Sequence, residues 1–198
     1  MRMPLYFDYA CPWAYMGSCR AEAYFAPLGV EIDFRPIHLA TLREAPAGQA
    51  PAAGERKSRW YASDIQAWSE MIGADLKTDA RHLITRPTRL ALKAALVAKD
   101  EGRFREYHHP AYRARWAEAR DVSDPEVVRD LLAGAGLDAD AVLARAESSE
   151  LDARLDRETQ EAIERGVFGV PTVVVGDRLF WGNDRFELAR FFLERGPR

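Results

Sequence analysis

Cysteine is scarce in this chain: its 198 residues hold two, Cys11 and Cys19. Two thiols exclude a disulfide-built scaffold and a four-thiolate metal centre. They are also badly spaced for each other. On one helix they would lie about 12 Å apart, whereas a disulfide needs Cα atoms within about 7 Å. Unpaired thiols fit a reducing compartment, and no signal-peptide pattern precedes the first apolar run, so a cytoplasmic location is expected. An excess of one charge is lacking as well. Lys and Arg number 28 against 31 Asp and Glu, and no basic block offers a surface to nucleic acid or an anionic membrane. No apolar run approaches the roughly 20 residues of a membrane span. Histidines number four, and the neighbours His108 and His109 point apart on a helix, so no metal site is expected.

Hydrophobic residues make up 47% of the chain, enough for a substantial core in one domain or in a domain with a large insertion. The organising stretch is Tyr6-Phe7-Asp8-Tyr9-Ala10-Cys11-Pro12-Trp13-Ala14-Tyr15-Met16-Gly17. Pro4 to Asp8 is an apolar run that predicts a buried strand. Pro12 opens a helix to about Ala26, because a proline at the first helical position gives up no hydrogen bond and its φ suits helix entry. Cys11 then faces unsatisfied N–H groups and the positive end of the helix dipole. That placement is expected to favour thiolate and depress the thiol's pKa. Ala14 stands where a Cys-x-x-Cys pair would carry its second thiol, so the motif holds no two-thiol cycle. Val30 to Arg35 alternates apolar and polar residues as a half-exposed strand does, giving β-α-β with parallel strands. Asp8 either orients the site or ends the strand, and His38 reads as structural.

Residues 40 to 56, rich in Ala, Gly and Pro, predict a long surface loop, either a lid or a plain connection. From Lys57 to about Ala146 the pattern is helical, with Tyr61, Ile65, Trp68 and Ile72 on one face. Pro87 opens a further helix and Pro110 interrupts another. Ser123-Asp124-Pro125-Glu126 starts one, and Gly134 and Gly136 stop it. Ser149, as cap, begins a long amphipathic helix to Arg165. Pro171 marks the first residue of a strand, since proline is excluded from central strand interiors. Gly176-Asp177 makes a tight turn into Arg178 to Trp181. Gly182-Asn183-Asp184 caps a last helix expected to bury Phe186, Leu188, Phe191 and Phe192. The order is β-α-β, a helical block, then α-β-β-α.

A Cys at the first helix's N-terminus, a Pro before the third strand and an all-helical middle resemble the thioredoxin fold with a large helical insertion, an α/β architecture. This divides the chain into 1–39 with 149–198, the thioredoxin-like part, and 40–148, the loop and insertion. Three stretches narrow the resemblance to the DsbA-like group, in particular to 2-hydroxychromene-2-carboxylate isomerases and kappa-class glutathione transferases. They are Tyr6 to Tyr15; Phe34-Arg35-Pro36-Ile37 with Lys57, Tyr61, Asp64 and Trp68; and Phe168-Gly169-Val170-Pro171-Thr172 through Trp181-Gly182-Asn183-Asp184-Arg185.

The resemblance implies a cis peptide bond before Pro171, a homodimer, and glutathione as cofactor in an isomerase or transferase acting on a small aromatic electrophile. It places Cys11 where the family's serine hydrogen-bonds the glutathione thiolate. It gives the backbone at Val170, beside Pro171, to the cysteinyl part. Asn183 and Asp184 take the γ-glutamyl end, near a helix N-terminus that favours a carboxylate, and Lys57 lies near the other end. Gln49 stands close to a family asparagine. Trp13, Tyr15 and aromatics of the insertion either wall an apolar substrate pocket or belong to the core. Cysteine in place of serine leaves a second function open, a monothiol DsbA-like oxidoreductase in which Cys11 forms a mixed disulfide.

Overall fold

The computed structural model describes residues 1–44 and 55–195, without the side chains of residues 55–59, 78, 79 and 81. Gln49 and the side chain of Lys57 lie outside what is described. Strand β1 (Arg2–Phe7) is the centre of a four-stranded sheet of order β2-β1-β3-β4. It pairs parallel with β2 (Glu31–Pro36), Leu5 opposite Phe34, and antiparallel with β3 (Thr172–Val175), Leu5 opposite Val173. Strand β4 (Arg178–Trp181) returns antiparallel to β3 at the edge. Burial follows from this order. All four residues of β3, Thr-Val-Val-Val, are buried, while edge β4 exposes Arg178 and Trp181. Pro36 ends β2 on the opposite edge, where a missing N–H costs the ladder nothing.

Helix α1 (Pro12–Phe25) connects β1 to β2. Between β2 and the last two strands run α2 (Leu39–Glu44), α3 (Glu55–Ile72), a 3-10 segment (Thr78–Thr85), α4 (Arg89–Asp100), α5 (Phe104–Trp116), α6 (Pro125–Gly134), α7 (Ala139–Ala146) and α8 (Ser149–Glu164). Helix α9 (Phe186–Arg195) closes the chain. The caps are the side chains sequence chemistry favours, at times one residue from the expected position. Asp124 caps α6, accepting from Glu126 N, and Ser148 rather than Ser149 caps α8, accepting from Leu151 N. Helix α5 runs through Pro110.

Two further corrections concern burial and the expected loop. Leu39–Glu44 is helical, with Leu39 and Leu42 buried. Helix α9 buries Phe186 and Ala189, but leaves Leu188 and Phe191 exposed, because it covers only one flank of β3 and β4. No helix of the described residues is long and apolar enough to cross a membrane.

The core gathers where β1 and β2 meet α5. Phe7 packs edge-on against His108, with ring centroids 4.5 Å apart, and Phe104 stacks on the same imidazole at 4.7 Å. His108 is fully buried, and burial drives its pKa well below the ordinary histidine value, so it is a neutral core group. Its two ring nitrogens lie 3.2 Å from the Tyr9 hydroxyl and 3.3 Å from Ser18 Oγ. His109 faces outward to Glu22 at 3.1 Å. The cluster fixes α5 against the sheet, and α5 in turn holds the loop that carries Cys11.

Candidate active site

The loop from Asp8 to Cys11 is held on every side. Asp8 is buried, and its carboxylate accepts three hydrogen bonds: from Ala10 N at 2.9 Å, Leu39 N at 2.7 Å and Thr88 Oγ1 at 2.7 Å. One side chain therefore ties the loop to the start of α2 and the start of α4. Helix α5 reaches the loop backbone as well. Tyr112 donates its hydroxyl to Asp8 O at 3.0 Å, and Trp116 donates its indole N–H to Tyr9 O at 2.9 Å. Of the two roles left open for Asp8, the contacts give it the orienting one.

Cys11 is the N-cap of α1, in extended conformation, with Pro12 following. Its Sγ lies 3.2 Å from the carbonyl oxygen of Val170, a residue far away in sequence, and the Val170–Pro171 peptide bond is cis. Pro171 is held there by close packing on α1. A Cβ on Gly17 would come within 3.2 Å of Pro171 Cγ, so only glycine at this turn of the helix admits the proline ring comfortably. Gly182 N donates to Pro171 O at 2.8 Å, which brings the next residues to the same end of the fold.

The thiol is not the depressed one expected from its helix position. Burial pushes the Cys11 pKa up to about 11, and nearby Asp8 adds to the rise. The backbone N–H groups of Ala14 and Trp13, with the more distant Arg43, pull it down but do not prevail. At 8% exposure the sulfur has lost most of the water that would stabilise a thiolate, and removal from water outweighs a half-charge dipole. Near neutral pH Cys11 is an S–H group donating to Val170 O.

Trp13 is half-buried beside Cys11 and meets Tyr61 of α3 edge-on, ring centroids 5.6 Å apart. The Tyr61 phenol is pushed up to about 12 by burial and the neighbouring Cys11, against the opposing pull of Trp13 and Arg43. Tyr15 faces the other way. It is buried, stacks on Tyr112 at 5.6 Å, and donates its hydroxyl to Asp75 O at 3.1 Å, so it supports the fold beneath the site.

Asn183 is 2% exposed, and its side-chain nitrogen has no hydrogen-bond partner among the described residues. A buried, unpaired amide N–H costs about 1–3 kcal/mol. Here it stands at the turn Asn183–Arg185 that leads into α9, where helix N–H groups are also unsatisfied. Asp184 is exposed and lies 3.7 Å from Arg185. Gly182 has φ 110°, and a side chain there would run into the Asp184 carboxylate. The indole of Trp181 covers Gly169 and meets Phe168 at 5.0 Å, making an exposed aromatic ridge beside the Val170 turn.

The structure thus brings together Cys11, Trp13, Val170 and Pro171, with Asn183 and Asp184 on the segment anchored to Pro171. Tyr61 and Arg43 join them, although neither follows from a catalytic motif. Tyr61 carries the signal of its helical stripe and of the family resemblance it shares with Lys57, Asp64 and Trp68, without a catalytic role attached. Arg43 falls in a stretch whose composition hides a short helix. A polar–apolar pattern with Leu39 and Leu42 three apart was the available signal.

Comparison with known proteins agrees with this geometry. A family model, the DSBA-like thioredoxin domain, matches residues 3–193. A 2-hydroxychromene-2-carboxylate isomerase of Pseudomonas putida is 30% identical over 190 residues, 93% of this chain and 90% of its own. The solved structure of a 2-hydroxychromene-2-carboxylate isomerase superposes with a TM-score of 0.83 at 27% identity, covering 98% of this chain and 95% of the other. The cytosolic disulfide reductase DsbM of Pseudomonas aeruginosa, solved with GSH, shares the fold at 18% identity, with a TM-score of 0.69 and 98% of each chain covered.

Proposed function

The chain belongs to the DSBA-like thioredoxin domain family, and on that premise we propose that it is a glutathione-dependent isomerase acting on a small aromatic electrophile of the 2-hydroxychromene-2-carboxylate kind. One observation carries the reading. A protonated Cys11 thiol sits 3.2 Å from the Val170 carbonyl, so a hydrogen-bond donor and the backbone before Pro171 converge on one point.

The residues present fit glutathione. Asn183 offers a buried amide N–H without a partner, beside the N-terminal end of α9, and a γ-glutamyl carboxylate is the group such a pair takes. Asp184 can accept from the ammonium of the same end. The Val170 backbone would pair with the cysteinyl part, and Lys57 would serve the glycyl end. Glutathione held there would supply a nucleophilic thiolate, the group that reversible addition to a conjugated double bond requires.

The chain's own groups do the rest. Cys11 turns its S–H from Val170 O towards an anionic sulfur, and a donor to a charged acceptor is about twice as strong as one to a neutral carbonyl. A thiol whose pKa is pushed up to about 11 keeps its proton while doing so, so no second negative charge arises beside the first. Asp8 holds Cys11 and α2 in register. Trp13 offers an aromatic face to the substrate ring. A monothiol oxidoreductase would need Cys11 as a thiolate, which burial disfavours.

Titration calorimetry with glutathione tests the reading. Wild-type protein is expected to bind in the micromolar to millimolar range, and Asn183→Ala to bind about tenfold more weakly, the loss of one hydrogen bond to a charged group. Because the Asn183 side-chain nitrogen has no partner among the described residues, the variant should melt at nearly the wild-type temperature. Absence of binding at millimolar glutathione would sink the cofactor assignment.

A further inference from the structure

We propose that Arg20 is a positioning residue for this site: through the ring of Phe186, its guanidinium fixes the turn that carries Asn183 and Asp184. The inference rests on the glutathione reading and names what sets the γ-glutamyl end in place.

Gly17, Arg20 and Tyr24 follow one another at i, i+3 and i+7 on α1, so they share one face of that helix. Phe186, the first residue of α9, is wholly buried against this face. A Cβ on Gly17 would come within 3.6 Å of Phe186 Cζ and 3.2 Å of Pro171 Cγ, so both rings settle on the same glycine. One turn on, the Arg20 guanidinium lies 5.3 Å from the Phe186 ring centroid, 5.1 Å from that of Tyr24 and 5.6 Å from that of Trp68 on α3. All three rings are within the roughly 6 Å over which a cation is attracted to a π face. Among the described residues no carboxylate pairs with Arg20, whereas Arg35 and Arg89 are each paired with an aspartate. The charge is therefore directed at rings, and the rings belong to α1, α3 and α9.

The turn needs such a hold. At its leading end Gly182 N donates to Pro171 O at 2.8 Å. At its trailing end stands Phe186. Between them the Asn183 side-chain nitrogen has no partner among the described residues, so no hydrogen bond from that nitrogen fixes the amide's direction. Backbone position decides where the N–H group points, and Phe186 anchors the backbone. The helical insertion supports the anchor from the other side. Trp13 meets Tyr61 edge-on, and Arg20 meets Trp68 seven residues further along both helices, about two turns. Helix α3 thus backs Arg20 against Phe186 while Tyr61 stays on Trp13.

The test uses the full-length protein and three substitutions, Arg20→Met, Arg20→Lys and Trp68→Leu. Methionine keeps a flexible apolar stem on the rings and removes the charge. Arg20→Met should raise the glutathione Kd, measured by calorimetry, about three- to tenfold, the range of a partly buried cation–π contact. Arg20→Lys should recover part of that loss. Trp68→Leu should cost less when added to Arg20→Met than it does alone, because the two share one contact. Hydrogen exchange of the backbone amides of residues 183–187, read without glutathione, should quicken in Arg20→Met while β1 and α5 keep their rates. If the wild type binds no glutathione but this local exchange still quickens, the cofactor reading fails and the positioning of the turn stands. Unchanged exchange at residues 183–187 overturns the inference. So does a loosened turn that leaves a measurable glutathione Kd where it was, or quickening of equal size throughout the chain with a matching fall in Tm.

Discussion

Replacing Cys11 by alanine should lower glutathione-dependent kcat/KM for the isomerisation by about 100- to 1,000-fold, the usual consequence of removing a single donor to a developing or resident anion in a shielded site. Cys11→Ser should stay within about tenfold of wild type, because a hydroxyl is the stronger donor at the same position. The contrast between the two variants matters more than either value. A nucleophilic cysteine would make serine as damaging as alanine. The pH dependence has a definite sign as well. Burial raises the folded-state pKa to about 11, above the free-thiol value of 9.0. Alkylation of Cys11 by iodoacetamide should therefore be slow at pH 7 and rise with a midpoint near 11, while Cys19, exposed at the surface, reacts first. The same shift means that stability from the protonated thiol is complete below about pH 9 and is lost as pH climbs through 11. An alkylation midpoint well below 9.0, the free-thiol value, would instead restore the thiolate oxidoreductase reading.

Asp8→Ala should cost about 3–5 kcal/mol of folding stability, the range for removing one partner of a buried, charge-assisted network. In a chain of this size that corresponds to a fall of roughly 10 °C in Tm. The reason is geometric. Three donors on three elements, Ala10 N, Leu39 N and Thr88 Oγ1, converge on one buried carboxylate, and all three lose their acceptor together. Thr88→Val removes one of the three and should cost about 1 kcal/mol. Urea unfolding of the two variants measures the difference. Equal, small losses would mean that Asp8 ends the strand and does no more.

These two positions also show which features could be recognised from residue order. Helix entry at Cys11-Pro12 and strand entry at Pro171 are written in proline chemistry; the first lies where it was expected, and the strand starts at Thr172, one residue after the proline. The meeting of Cys11 with Val170 depends on the sheet order, and the strand-helix-strand pattern with its family resemblance supplied that. The state of the thiol could not be inferred the same way. A helix N-terminus is a local feature, whereas burial at 8% exposure depends on residues distant in sequence, Val170 among them, closing on the sulfur. Whether Tyr15 walls a pocket or belongs to the core is not legible in the sequence either, and it is the stacking on Tyr112 that places it in the core. Leu188 and Phe191 have the spacing of a buried stripe, and only the packing of α9 on the sheet edge shows that it covers Phe186 and Ala189 instead. Arg43 was hidden by the composition of its neighbours. Asp8 was ambiguous because its meaning lies in Leu39 and Thr88, 31 and 80 residues away.

A crystal structure of the protein with glutathione would decide the chemistry at Cys11. The peptide's sulfur should lie within hydrogen-bond reach of Cys11 Sγ, unbonded to it, with the cysteinyl backbone paired to Val170 and the γ-glutamyl carboxylate on Asn183. A covalent S–S bond of about 2.05 Å to Cys11, or glutathione seated away from Val170, would contradict the role assigned to the thiol.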